Sequence, residues 1–393
     1  MNRVCSIFAQ LLELFPRVKF QDAVGKHKAE RHSRGFSSWG QFVAMLFCQL
    51  GHAQSLRDIC NGLAASEGKL KHLGIPKAPK RTTLAYANGH RSWELYKTVF
   101  LELLSQCYSV AQGKRKKFRF KNKLLTLDST SIDLCITLFD WAKYKQTKGA
   151  AKIHMLLDND GYLPCFAHIT EGKTHDITVA RRMQFTAGTI VVMDRAYVDF
   201  DWWERLTEGG VYFVTRLKKD IQYDVLEECP APQKSDIRRD PIIQLRSSLK
   251  RSYAMKLRVV TMWNEEKQEE LQFLTNHLKF GATTIARIYK ERWQIEIFFK
   301  SLKQLLKIKT FIGTSANAVK TQIWTALIAM LILKYVHLKS SFNWSLSNLV
   351  AVLRQQLFVY RDLYKWLDDP YQAPPVLAGV HDGQLLLDFS VVA

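Results

Sequence analysis

Residues 289–303, "YKERWQIEIFFKSLK", carry Tyr289, Arg292, Glu296 and Lys303 at successive offsets of three, four and seven within an amphipathic pattern. Wound as an α-helix at about 100° per residue, these side chains project at about 0°, 300°, 340° and 320°, one stripe about 60° wide. Ile295, Phe298, Phe299, Leu302, Leu305 and Leu306 fall at about 160° to 280°, the surface a core-packed helix needs. The stripe borders that surface and is expected to be half-buried. A Glu at the edge of a core, with an Arg one turn before it and a Lys about two turns after, suits a site that grips anions and a metal. The same spacing also suits a solvated face of favourably paired charges. Glu291, at about 200° on this wheel, falls inside the apolar arc. Either the helix is locally irregular there or that carboxylate lies near an exposed end. Glu296 is the better ligand because it shares the stripe.

The rest of the chain decides between a site and a solvated face. Its 393 residues are 47% hydrophobic and 12% aromatic, enough for two or three packed domains and against disorder. The 57 Lys and Arg against 36 Asp and Glu give a net charge of +21, which selects a polyanionic partner, nucleic acid ahead of an anionic membrane. The longest apolar run, "IWTALIAMLIL" at 323–333, is too short to span a bilayer and is followed by Lys334, so it reads as a buried helix. The opening "MNRVCSIFAQLLELFPRVKF" lacks a cleavage-site pattern and suits a short amphipathic helix. The seven cysteines are scattered without a CxxC pair, as expected of reduced cytosolic thiols and not of disulfides or a zinc site.

Charge, Gly and Pro divide the chain. Residues 1–112 are expected to be all-helical, with Ser37 and Ser38 signalling a cap before "WGQFVAMLFCQL" and Ser55 before "LRDICNGLAA". Two short helices joined by "SEGKLKHLGIPKAPKR" resemble a loose helix-turn-helix. It would offer Lys80, Arg81, Thr82, Thr83, Asn88 and Arg91 to DNA. An ordinary bundle with a basic loop remains open. Residues 113–123, "GKRKKFRFKNK", hold seven Lys or Arg, among them Lys116, Lys117 and Arg119, and read as a linker that touches phosphate.

From 124 the period changes. "LLTLD" is a short strand ending in Asp128, and two strands flank the turn signal "NDG". "THDITVARRMQF" is helical, "TIVVMD" a second buried strand ending in Asp194, "VDFDWWERLTEG" a helix, and "VYFVTRLK" a further strand. This is an α/β core with mixed strand directions. Residues 218–282 break the pattern as a β-rich insertion, the Glu296 helix is expected to begin near Thr283, and 312–393 are helical with a Pro-rich tail. Ligand sites in α/β sheets favour the carboxyl ends of strands. Asp128, Asp194 and a Glu296 brought back to that sheet would make a hard-oxygen set suited to Mg²⁺ or Mn²⁺ and to phosphodiester chemistry. Each Asp taken singly also reads as a strand-end cap.

The order Asp128, Asp194, Glu296 with Y-x2-R-x3-E-x6-K, met in full by Tyr289, Arg292, Glu296 and Lys303, resembles the DDE transposases of the insertion sequence four family. The resemblance spans Asp128 to Lys303, and the helical amino-terminal part looks like the DNA-binding domain that accompanies such enzymes. It implies an RNase H-like core at 124–311 interrupted by the insertion, and a possible dimerisation role for 312–393. It further implies metal-dependent cleavage at the element's terminal inverted repeats, strand transfer into target DNA, and in relatives a hairpin on the transposon end. By position, Asp128, Asp194 and Glu296 would hold Mg²⁺, with Mn²⁺ substituting, and Tyr289, Arg292 and Lys303 would contact phosphates. The hairpin step implies a flipped base stacked on a Trp of the insertion, for which Trp263 is the candidate and Trp202 or Trp203 the alternative. The partners implied are DNA and a second copy of the chain, with no membrane and no small-molecule substrate, in a bacterial cytoplasm near the nucleoid. A DNA-binding regulator without chemistry and a nuclease without strand transfer are the competing readings. The intact carboxylate set argues against the first, and the second would not require Lys303.

Overall fold

The computed structural model describes residues 5–31, 33, 35–66, 68–112, 117–134, 138–145, 148–233, 235–246, 255–305 and 311–371. Six helices open the chain, α1 (Ile7–Leu12), α2 (Arg17–Lys26), α3 (Ser38–Leu50), α4 (Leu56–Ala64), α5 (Arg81–His90) and α6 (Glu94–Ala111). The serine signals act as caps: the Ser37 hydroxyl accepts from Gly40 N at 3.0 Å and the Ser55 hydroxyl from Asp58 N at 3.1 Å. Helices α4 and α5 are the two expected around the long basic connection, which folds through a short 3₁₀ turn at Leu70–Leu73.

The sheet follows with β1 (Leu124–Leu134), β2 (Lys143–Lys145), β3 (Lys148–Asp158), β4 (Leu163–Glu171), α7 (Asp176–Ala180), β5 (Ile190–Met193), α8 (Phe200–Glu208) and β6 (Tyr212–Arg216). The "NDG" turn joins β3 to β4 as expected. Two expectations change. β1 runs on past Asp128 because β3 pairs with it from Leu125 to Leu134, whereas β5 pairs only from Leu124 to Leu127. Helix α7 has five residues, because Arg182 N and Met183 N bond three residues back and close its last turn.

Strands β7 (Tyr223–Glu228), β8 (Ile237–Arg239), β9 (Pro241–Leu245), β10 (Lys256–Asn264) and β11 (Glu269–Thr275) come next. They continue the same sheet, since β11 pairs antiparallel with β6. The order is β2-β3-β1-β5-β6-β11-β10-β9-β7, with β4 also on β3 and β8 on β10. β1, β5 and β6 are parallel, and β1, β3 and β4 antiparallel in turn. The architecture is mixed α/β around one large mixed sheet.

The stretch first quoted is two helices, α9 (Ala282–Lys290) and α10 (Trp293–Leu305), broken at Glu291 and Arg292. Helices α11 (Ala316–Lys339), α12 (Leu346–Gln356) and α13 (Leu363–Asp368) complete the described chain. The apolar run at 323–333 is the middle of α11. With 24 residues, α11 is long and apolar enough to cross a membrane, longer than the run suggested, but 83% of its most apolar window is buried inside the protein. It packs against α3, α5 and α6, so the amino-terminal and carboxy-terminal helices share one core, which also takes one face of β1, β3 and β4. Leu125, Leu127, Val191 and Met193 point to the opposite face, under α7 and α8. Leu124, Ile190 and Val192 point toward α9. Among the described residues Cys5, Cys48, Cys60, Cys107, Cys165 and Cys229 form no disulfide, and Cys135 lies outside the described residues.

Candidate active site

Side chains alternate faces along a strand. Because Leu124, Ile190 and Val192 face α9, Asp128 and Asp194 belong to that face as well. The parallel pairing ends with Leu127 opposite Met193, so Asp128 and Asp194 stand side by side one residue beyond it. Neighbouring strands lie about 4.8 Å apart, which sets the scale of their separation. Asp128 is therefore at the end of the parallel pairing though in the middle of its own strand. Asp194 also caps a 3₁₀ turn at Arg195–Tyr197, its Oδ1 accepting from Ala196 N at 2.7 Å.

Helix α10 supplies the third carboxylate. The Arg292 Nη2 donates to Glu296 Oε1 at 2.5 Å, and its Nη1 lies 3.6 Å from Asp128 Oδ2, so one guanidinium joins the strand to the helix. Arg292 also stands over the Tyr289 ring at 5.8 Å, and Tyr289 packs on Phe273. Lys303 lies two turns beyond Glu296 on α10 and is half-buried. Asp128, Asp194, Glu296, Arg292 and Tyr289 thus form one neighbourhood.

Burial pushes the Asp128 carboxyl up to about 7, with the Asp194 and Glu296 charges adding to it and the Ser129 N–H and Arg292 opposing. A place where burial and two neighbouring carboxylates make Asp128 costly to ionise is one that a hard divalent cation would relieve, and the all-oxygen donor set fits such an ion. Among the described residues no Asp, Glu, His and Cys side chains already converge as a metal cluster, and between Asp128 and Glu296 it is Arg292 that pairs with both.

The tryptophan alternatives separate clearly. Trp202 and Trp203 are 2% and 0% exposed in the core under α8, which removes them as base-stacking candidates. Trp263, at the end of β10, is half-buried and lines a cavity of about 670 Å³ together with Tyr289, Phe273, Arg287 and Lys290. Its Nε1 donates to Glu265 Oε2 at 2.5 Å. Trp293, beside Arg292, is 57% exposed, and sequence reasoning did not single it out.

A larger cavity of about 940 Å³ lies between the end of α2 and α5, lined among others by Lys28, Arg31, Thr82, Tyr86, His90 and Arg91 and, among the described residues, by no carboxylate. Arg81 and Thr82 are exposed at the start of α5. Arg91 is engaged within the fold, donating to Ser33 Oγ at 2.8 Å, to Gln41 Oε1 at 3.3 Å and to the Phe36 carbonyl. Asn88 is 2% exposed and accepts from Gln41 Nε2 at 2.9 Å, so it is a core residue and not a surface contact. In the linker, Arg119 is exposed, Lys117 is paired with Glu291 at 2.6 Å, and Lys116 lies outside the described residues.

Behind Asp128, on the opposite face, Ser129, His154, Asp176 and the buried Tyr197 meet, a cluster the sequence reading did not assemble. The strand period places Ser129 and His154 on one face, but only the cross-strand register makes them partners.

Residues 119–332 match the family described as the transposase DDE domain, and residues 4–76 match a domain of unknown function, DUF4372. The chain is 28% identical over 309 residues to a Sinorhizobium fredii protein named as transposase y4zB, covering 77% of this chain and 85% of that one. It is 29% identical over 266 residues to a Geobacillus stearothermophilus protein named as the transposase of insertion sequence element IS5377, covering 67% and 69%. A solved piggyBac transposase synaptic complex with hairpin DNA aligns over 94% of this chain and 82% of that one with a TM-score of 0.45 and 10% identity, a likeness too remote to carry anything to this chain.

Proposed function

The chain belongs to the transposase DDE domain family and is a DNA transposase, and from that premise we propose that Asp128, Asp194 and Glu296 are its metal ligands at the cleavage site. The observation that supports this reading most is the meeting of two register-neighbouring Asp side chains with Arg292 and Glu296 from the returning helix. A divalent cation, Mg²⁺ with Mn²⁺ as a substitute, would supply Lewis acidity to the phosphodiester and make the attacking water more acidic. The protein's own part is positional and electrostatic. Arg292 grips the phosphate beside the scissile bond, Tyr289 buttresses its guanidinium, and Lys303 takes a phosphate two turns farther along α10. The cavity between Trp263 and Tyr289 would receive a base unstacked from the transposon end, with the exposed Trp293 facing the DNA next to it.

In this reading the core at 124–311 is RNase H-like, an assignment supported by the order β4-β3-β1-β5-β6 and its antiparallel-then-parallel directions. Residues 218–282 are its insertion, 1–112 with Arg81 and Thr82 bind the terminal inverted repeats, and the linker at 113–123 follows the backbone through Arg119. Paired cutting of two ends calls for a dimer, with 312–393 as the region to examine for its interface. The products would be free 3′-hydroxyls that join target DNA in the bacterial cytoplasm.

The test is cleavage of DNA carrying the element's own ends, with Mg²⁺ or with EDTA, by the full chain and by Glu296→Ala. Metal-dependent nicking at the repeat tip that falls at least a thousandfold in the variant is the expected result. Specific binding without cutting under Mg²⁺ or Mn²⁺ would make the protein a regulator and the α10 stripe only a DNA-gripping face.

A further inference from the structure

Glu291 is 4% exposed, and a carboxylate is rarely so buried unless it is paired. Both of its oxygens have partners: Oε1 accepts from Lys117 Nζ at 2.6 Å and Oε2 from Tyr162 OH at 2.9 Å. Tyr162 holds a left-handed backbone, φ 52°, at the end of the β3–β4 turn, a conformation unusual for a bulky residue. Lys334 of α11 stands over the same ring with its Nζ 5.8 Å from the centroid. The linker and the hairpin turn therefore converge on one carboxylate, with a carboxy-terminal helix against the Tyr162 ring.

That carboxylate sits where the catalytic helix breaks. Glu291 N bonds to Ile288 O at 3.1 Å, Arg292 N to Tyr289 O at 3.0 Å, Gln294 N to Glu291 O at 3.0 Å and Ile295 N to Arg292 O at 3.2 Å, each three residues back. Tight 3₁₀-like winding advances about 120° per residue where an α-helix advances about 100°, so a few such steps rotate everything downstream by some tens of degrees. Arg292 lies in this break and Glu296 is downstream of it.

We infer that Glu291 is a positioning residue: held by Lys117 and Tyr162, it fixes the α9–α10 break at the angle that turns Arg292 and Glu296 toward Asp128. The inference rests on the roles given above to Arg292 and Glu296. It also assigns Lys117 to holding this break and not to phosphate.

The experiment compares the full-length protein with Glu291→Gln, Lys117→Met, Arg292→Ala and the Glu291→Gln/Arg292→Ala double variant. Two quantities are read, amide hydrogen exchange over 288–296 without DNA and the rate of end cleavage at saturating Mg²⁺ and DNA. Glu291→Gln is expected to raise exchange at the break at least tenfold while the sheet stays protected, and to slow cleavage at least tenfold. In the Arg292→Ala background it should slow cleavage by a smaller factor than in the wild type, because of the two side chains it positions only Glu296 is left. Lys117→Met, changed at the more exposed partner, should reproduce both effects more weakly and stands in should Glu291→Gln not fold. Unchanged exchange at the break overturns the inference whether or not the wild type cuts. An equal rate loss with and without Arg292 overturns it too, as the mark of general destabilisation. A wild type that binds ends but never cuts would count against the proposed function alone.

Discussion

Asp128 and Asp176 lie near each other but titrate in opposite directions. Burial, with the Asp194 and Glu296 charges behind it, raises Asp128 from 3.8 to about 7. The folded protein therefore holds that proton more tightly than the unfolded chain, and stability falls as pH rises from about 4 to about 7. In EDTA, Asp128→Asn is expected to remove this loss, making the variant more stable than the wild type at pH 8 and equal to it near pH 4 in urea unfolding. About 1.4 kcal/mol per pKa unit sets an upper bound of about 4 kcal/mol. Burial would raise Asp176 also, but His154 Nδ1 and Lys152 Nζ, each at 3.4 Å, and the Ser129 hydroxyl bring it down to about 2. Its contribution is present above about 4 and lost as pH falls toward 2. Asp176→Asn should cost up to about 2.5 kcal/mol at pH 7 and almost nothing at pH 2, measured by the same unfolding.

At the scale of elements, the strands and the helix caps were legible because their signals are local. "TIVVMD", the "NDG" hairpin and the serine caps need only their neighbours in sequence. The Glu291 anomaly was legible in part: an acid inside an apolar arc pointed either to a local irregularity or to an exposed end, and the structure has the irregularity, with the carboxylate buried. Its cause was not, because Lys117 and Tyr162 come from positions 174 and 129 residues away. Nor was the length of β1, which is set by where β3 and not β5 lies beside it. The longest helix offers an element-scale check. The Ser315 hydroxyl accepts from Ala318 N at 3.2 Å and caps α11. Ser315→Ala should cost about 1 kcal/mol in chemical denaturation, because the helix it starts has 24 residues and most of them are buried.

For the whole molecule, the net charge of +21 predicts end binding that weakens steeply with salt. Arg119→Ala should lower the slope of log affinity against log salt by about one and weaken binding to unrelated DNA equally, as a backbone contact does. Composition revealed the polyanion but not the assembly, since nothing in the separate helical patterns announced that α11 would lie against α3, α5 and α6. That shared core has a further meaning. If α5 reads the transposon end and Asp128 marks the cut, the two are fixtures of a single jig, and the distance between recognition and cleavage is a property of the protein and not of the DNA. Inserting one base pair between the recognised sequence and the tip should move the nick by one position within the element, so that the enzyme cuts by measure.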